Sequence, residues 1–539
     1  ALLDALGELE TRSAPDLGRL HLTLCFLRAF PDNRRVLERV TAELDAFASR
    51  VTRLGGSERE RLVDAGIAGT TLHYPFSYEV ATWLARAFPG AAAIDWAAFD
   101  EPARFEELLE HVLHHAETDY YDSGRVSTRD WIELAAEHRP GSDFDWLMSE
   151  LHDRRHHARF WTSLYNAAEV PLVCTLAETS LSRTRNVFPS GRVRFRATPM
   201  QAAVVRPKAE IASPIRSLKR LDRKGGQALL DVAMASLAVR HRETIHFNCA
   251  NPAEVWIADV GRGVQVAATG LLPEHRYPLE CTMGFLILSN GVPIGYGGSS
   301  MLYRQANTGI NIFEEYRGSE AAWLWVQVMR VFHALSGCTR FVANPYQFGS
   351  ENTEALRSGA FWFYYRLGYR PVAADVRKLA RGEYAKVARG KGYRTPVDVL
   401  RKLAVCDMHL TLPAARQADF FDEGWIELSS LLATQQLART GHRSRRRAQD
   451  ALAHALAKDL EIESMAAWSQ EERRWFVRLS PVISALYPGS WSAADRRSLV
   501  VLMRAKGSEL ERDFAARFGK HERLFNALKK ACRRLAREH

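Results

Sequence analysis

The sequence predicts an α+β fold, with a mixed sheet and its helices in the middle of the chain and helical segments on either side. Residues 1 to about 190, and again about 420 to the end, carry apolar residues at three-to-four spacing, the period of a helix with one buried face. Between them, FLILSNGVPIGYG places Asn290-Gly291 between two apolar runs, the strongest short-range hairpin signal a sequence carries. Directly afterwards, strand-like and helix-like stretches alternate through NTGINIFEEYRGSEAAWLWVQVMRVFHAL and GCTRFVANPYQFGSENTEALRSGAFWFYYRLGYRP.

At 539 residues the chain exceeds one ordinary core, and its length suggests on the order of two to four domains. A hydrophobic content of 47% with 25% charged residues excludes a disordered or fibrous chain. The net charge of +10 suits anionic partners such as phosphorylated cofactors, RNA or acidic membranes, or else a solvated basic surface. Seven cysteines are scattered without a C-x-x-C pair, so neither a disulfide framework nor a zinc site is expected. No apolar run approaches the length of a membrane span and the start lacks the pattern of a signal peptide, so a cytoplasmic location is expected.

Taken in order, residues 1–190 are expected to form a helical domain. PDNRRVLERVTAELDAFASRV begins near Pro31 and aligns Val36, Val40, Leu44 and Phe47 on one face. Similar patterns recur over Tyr78 to Phe88, Arg104 to His115 and Phe144 to Tyr165, separated by Gly55-Gly56, Pro89-Gly90 and Pro140-Gly141. The mixed domain is expected over 191–412. It begins with RVRFRA, where Val193, Phe195 and Ala197 alternate with arginine as in a strand. A helix over Gly226 to Arg242 follows, then strands at Val255 to Val260 and Val264 to Ala268, the hairpin, and a short strand at His409 to Leu412. Residues 413–539 are expected to be a basic helical domain. Its HRSRRR cluster (442–447) and its tail NALKKACRRLAREH would serve an acidic carrier protein or RNA, or remain solvated.

Two motifs in the middle of the chain carry chemistry. Glu315-Tyr316-Arg317-Gly318-Ser319-Glu320-Ala321-Ala322 joins a strand to a long helix, and Asn352-Thr353-Glu354-Ala355 leads to Tyr364-Tyr365-Arg366-Leu367-Gly368-Tyr369. On these residues the stretch from Gly226 to Val372 resembles the GCN5-related N-acetyltransferase (GNAT) superfamily. The resemblance implies a GNAT-like mixed sheet with flanking helices. It also implies a turn whose amides hold the pyrophosphate of acyl-coenzyme A, with Phe313, Arg317, Gly318, Ser319, Ala321, Ala322 and Asn352 as the donor-binding residues. Tyr364 takes the place of the tyrosine that protonates the leaving thiolate. Glu314 and Glu315, at the end of the strand, are candidates for the base that deprotonates an amine, directly or through water. Glu320 stands where the family has its middle glycine. A carboxylate aimed at a pyrophosphate is repelled, by roughly several kcal/mol when desolvated. An acyl-carrier protein is therefore expected as donor beside free acyl-coenzyme A, unless Arg317 pairs with Glu320 and neutralises it. SGAFW is extra relative to the family pattern and is expected either to break or reshape the helix that carries Tyr364 or to build an aromatic wall for an acyl chain.

The function expected on this basis is transfer of an acyl group from a thioester to an amine. The alternative is a GNAT-like scaffold whose cofactor turn has decayed and which serves as a protein or RNA interaction module; it would show an obstructed groove and no pocket near Tyr364. A third reading is an aminoacyl-tRNA-dependent transferase, which would hold tRNA through the basic C-terminal region. His114-His115 with Asp119 fits the H-H-x-x-x-D signature of the chloramphenicol-acetyltransferase and condensation-domain superfamily, without that fold's strand pattern. His152, His156 and His157 lie in the polar stretch LHDRRHHARF, near enough in spacing to share a metal with Glu117 or Asp119. Solvated histidines are the commoner outcome of such a stretch, and no metal is expected.

Overall fold

A computed structural model describes residues 13–153, 158–177, 179–189, 191–196, 205–318, 320–390, 392–416 and 424–538. The N-terminal segment is helical over Arg34–Asp45, where Asn33 caps the helix by accepting from the Val36 amide at 2.9 Å, Val40 and Leu44 are buried and Val36 is partly buried; the buried Phe47 opens a separate helix, Phe47–Thr52. It is not all helical, however. Strands β1 (Thr70–Tyr74), β2 (Ala92–Ile94) and β3 (Leu172–Leu176) form a three-stranded antiparallel sheet in the order β1-β3-β2. The β3 sequence LVCTL buries Leu172, Cys174 and Leu176 on alternate positions, a period-two pattern too short to stand out among helices.

The central sheet has nine strands: β4 (Ser217–Arg220), β5 (Ala250–Gly261), β6 (Val264–Leu271), β7 (Cys281–Ser289), β8 (Val292–Leu302), β9 (Gln305–Ile312), β10 (Arg340–Ala343), β11 (Arg370–Pro371) and β12 (Met408–Thr411). Their order is β11-β12-β10-β9-β8-β7-β6-β5-β4. RVRFRA is not one of them, and Ala197 lies outside the described residues. Its backbone bonds instead to loops: the Arg194 amide donates to Asn290 Oδ1 at 2.8 Å and the Arg196 amide to the Pro31 carbonyl at 2.9 Å. The sheet therefore starts later than the alternation suggests.

The Asn290-Gly291 turn forms as predicted. Ser289 pairs with Val292, and Asn290 and Gly291 have φ of 47° and 83°, as a type I′ hairpin requires. β4 to β9 run antiparallel to their neighbours, whereas β9 and β10 are parallel and are joined by the helix Ala321–Ser336. That helix buries Trp323, Trp325 and Phe332 and stops at Gly337, whose φ is 76°. β12 then enters antiparallel between β10 and β11.

One irregularity shapes the sheet. β9 pairs with β10 only at Gln305, Ala306 and Asn307, yet stays paired with β8 as far as Ile312. β10 ends at Ala343 and the chain turns away through Pro345–Phe348. The two parallel strands thus separate, and among the described residues the β9 edge beyond Asn307 that faces β10 has no strand beside it.

Among the described residues, everything from Gly424 onward that is regular is helical. A buried charge network fixes these helices to the sheet. Arg276 donates to the carbonyls of Leu271, Lys506, Ser508 and Glu509 at 2.6–3.1 Å, and lies 3.7 Å from Glu254 and 3.9 Å from Glu511. Glu254 accepts from the amides of Glu511 and Arg512 at 2.8 and 2.7 Å, and Lys506 closes the cluster on Glu511. At the β8–β9 turn, Tyr303 stacks on Phe525 with centroids 4.0 Å apart. No described helix is long and apolar enough to cross a membrane.

Candidate functional site

The space between the diverging strands is a cavity of about 620 Å³. One wall is β8 and β9, from Tyr296 to Ser300 and Asn307 to Asn311; the other is formed by Asn344, Gln347 and the helices Thr353–Ser358 and Ala360–Arg366. Arg242, Thr244 and, on the short helix Ile245–Asn248, His246 also line it. The lining is polar with few formal charges: besides Arg242, Arg317 and the carboxylate Glu354 it holds Asn307, Asn311, Asn344 and Gln347.

Tyr364, 3% exposed, lines this cavity. Its ring meets Trp325, Phe348 and Tyr369 edge-on, and its hydroxyl donates to Gln347 Oε1 at 3.4 Å. Burial pushes its pKa well above that of a free phenol, so the hydroxyl keeps its proton. The extra residues that precede it act as expected: the first helix stops at Gly359, with φ of 68°, and a second restarts at Ala360, which carries Tyr364 to the wall. Asn352 lines the same cavity, where its Oδ1 caps the first helix through the Ala355 amide at 3.0 Å and its Nδ2 donates to the Tyr346 carbonyl.

The strand-to-helix turn divides between the cavity and its surroundings. Arg317 reaches the mouth, where it donates to the Ile312 carbonyl and pairs with Glu354 at 3.1 Å rather than with Glu320. Gly318 is exposed, with no atom within 4 Å of where a Cβ would stand. Ala321 and Ala322 open the helix Ala321–Ser336, whose N-terminus has no side-chain cap. Phe313 is buried under the Arg240 guanidinium, 3.8 Å from the ring centre. Ser319 lies outside the described residues.

Neither candidate base lines the cavity. Glu314 is exposed in the turn. Glu315 is bound to Arg240 at 2.5 Å with its side chain 5% exposed. Burial alone would raise its pKa, but Arg240, Arg183 and the hydrogen bonds it accepts outweigh burial and hold it below the ordinary carboxylate range. In this arrangement Glu315 is an ionised structural partner.

Glu320 points away from the cavity. Its two oxygens accept from Arg196 at 3.1 and 2.7 Å, and Arg262 approaches at 3.2 Å from the β5–β6 turn while lying over Trp323. The carboxylate that would repel an anion is therefore engaged by two guanidiniums on the far side of the turn.

His246 is the residue that sequence reasoning missed. A Cβ at Gly298 would overlap its imidazole and one at Gly284 would overlap its Cβ, so two glycines on adjacent strands make its slot. Its carbonyl accepts from Thr269 Oγ1 at 3.0 Å, and among the described residues its ring nitrogens make no hydrogen bond. Burial lowers its pKa to about 4, so the imidazole that faces the cavity is neutral at pH 7. The only local signal was the glycine-rich run GYGG opposite it.

The competing motifs are not assembled. His114, His115 and Asp119 are exposed, and no group of three or more metal-ligating side chains occurs among the described residues. His156 and His157 lie outside them. All seven cysteines are free, and all but Cys406 are buried. No family model, no curated protein and no solved structure matches the chain.

Proposed function

We propose that the chain is a GNAT-like N-acyltransferase that moves an acyl group from a thioester, acyl-coenzyme A or an acyl-carrier protein, to an amine in the cleft between β9 and β10. The observation that carries this reading is the separation of the two parallel strands into a cavity with Tyr364 on its wall. A scaffold with a decayed site would lack that opening. The outward Glu320, the open Gly318 and the uncapped helix N-terminus fit a phosphorylated donor at the turn.

The reaction follows from these groups. The unpaired edge of β9 offers backbone N–H groups to the acyl carbonyl, and a carbonyl so polarised accepts attack by the amine nitrogen. The C–N bond forms as the C–S bond breaks. His246, neutral and facing the cavity, accepts the proton of the attacking amine directly or through water, and the Tyr364 hydroxyl protonates the departing thiolate. His246→Ala is expected to lower turnover by about 10²-fold or more. Because its imidazole gains charge only below about pH 4, lowering the pH from 8 to 5 should leave this group in its active form. A rate profile that fell near pH 6.5 in wild type and not in the variant would show that His246 titrates as an ordinary imidazole, and an unchanged turnover in His246→Ala would remove it from this role.

Calorimetric titration of the full chain with acetyl- and longer acyl-coenzyme A tests the donor. Binding is expected, weakened in Arg317→Ala, which removes the cation at the mouth. No heat at any chain length would exclude coenzyme A thioesters and leave the carrier protein as donor.

A further inference from the structure

A second site lies on the C-terminal helix. The helix Glu522–Glu538 buries Leu524, Phe525, Leu528 and Leu535 on one side. Its other side borders a groove of about 990 Å³ together with Leu486, Tyr487 and Trp491. Arg523, Lys530, Arg533, Arg534 and Arg537 line this groove and are exposed, while Glu538 is the only acid in the lining. None of these five cations is in an ion pair among the described residues. Two of them lie over tryptophan rings, Arg523 over Trp491 at 5.4 Å and Arg533 over Trp425 at 5.6 Å, so the side chains are laid along the surface.

Like charges gathered on one helix repel one another, and an opposite charge in the groove relieves that repulsion. Tyr487 adds a second feature. It is 62% exposed at the rim, with φ of 53°, a left-handed conformation uncommon for a residue with a large side chain. Its amide donates to the Ser484 carbonyl and its own carbonyl accepts from Ser490 Oγ, so the backbone that presents the ring is held from both sides. An exposed ring beside a row of cations is the combination that binds single-stranded nucleic acid: the cations meet the phosphates and a base stacks on the ring.

We infer that this groove binds the phosphodiester backbone of a single-stranded nucleic acid, with one base on Tyr487. The site is independent of the acyl-transfer reading. An acidic protein helix is the competing occupant, and the row of cations without interspersed acids favours the polyanion.

The test is fluorescence anisotropy of the full chain with labelled 20-nucleotide oligo(U) RNA and oligo(dT) DNA across a salt series. Five phosphate contacts predict a slope of log K against log salt of about −3.5, at ~0.7 per contact on a single strand. Arg533→Glu with Arg534→Glu, both exposed, is expected to weaken binding at least tenfold and to flatten the slope. Tyr487→Ala is expected to weaken both oligonucleotides severalfold while leaving binding of inorganic polyphosphate, which has no bases, unchanged. A slope near zero, an unaltered affinity in the double variant, or displacement by poly-glutamate as effective as by unlabelled RNA would overturn the assignment. The ratio of RNA to DNA affinity identifies the natural source.

Discussion

Replacing Arg276 by methionine is expected to lower the free energy of unfolding by about 3–5 kcal/mol, the cost of leaving a buried charge cluster without one partner. The guanidinium is fully enclosed and serves four carbonyls as well as lying near Glu254 and Glu511. Methionine fills much of its volume but donates nothing. Chemical denaturation should therefore show an earlier transition, with the C-terminal helices released from the sheet first; an unchanged midpoint would show that the cluster contributes no net stability. The same cluster sets a pH dependence. Burial raises Glu254 to about 7 despite the opposing pull of Arg276 and the two amides it accepts from, and it raises Glu511 as well. A carboxyl with a raised folded-state value contributes stability that is fully present below its unfolded value and is lost as pH rises through the folded one. The melting temperature should accordingly fall between pH 5 and pH 8. For Glu254 the effect is up to about 3 kcal/mol, at ~1.4 kcal/mol per tenfold change in affinity for the proton. Glu254→Gln should flatten this slope.

Tyr364→Phe is expected to reduce the rate of acyl transfer by about 10²–10⁴-fold while donor affinity stays within about twofold. Phenylalanine preserves the edge-on contacts with Trp325, Phe348 and Tyr369 and removes only the hydroxyl. A structural role for that hydroxyl would show in the melting temperature, because it would cost the single bond to Gln347. Single-turnover measurement of thiol release separates the two: a slow chemical step with an unchanged melting curve supports proton donation, and an unchanged rate excludes it.

How much of this was legible in the sequence depended on how local the cause was. The Asn290-Gly291 hairpin needs only two residues that tolerate positive φ, and both are adjacent in the chain. The helix break before Tyr364 was legible for the same reason, since Gly359 supplies it. In the sequence Glu320 stands as a threat to anion binding because its neutralising partner Arg196 is 124 residues away, beyond the reach of any spacing argument. The slot of His246 is built from glycines on two other strands, and a glycine's meaning depends on what approaches it. Glu315 looked like a base until Arg240, brought in by the preceding helix–loop region, occupied it. The strands β1 to β3 are short segments separated by helices, so their pairing is a property of the folded chain alone.

The open stretch of β9 has one more consequence. A strand edge with free amides and carbonyls is a template on which a second extended chain adds, and proteins guard such edges with charge, proline or a cover. Here the pair of helices from Thr353 to Arg366 stands across the cavity from the edge, and the edge residues Thr308, Gly309 and Ile310 carry no charge of their own. Any change that loosens those helices would expose the edge to neighbouring molecules, so damage to the cleft wall should show as self-association as well as lost turnover.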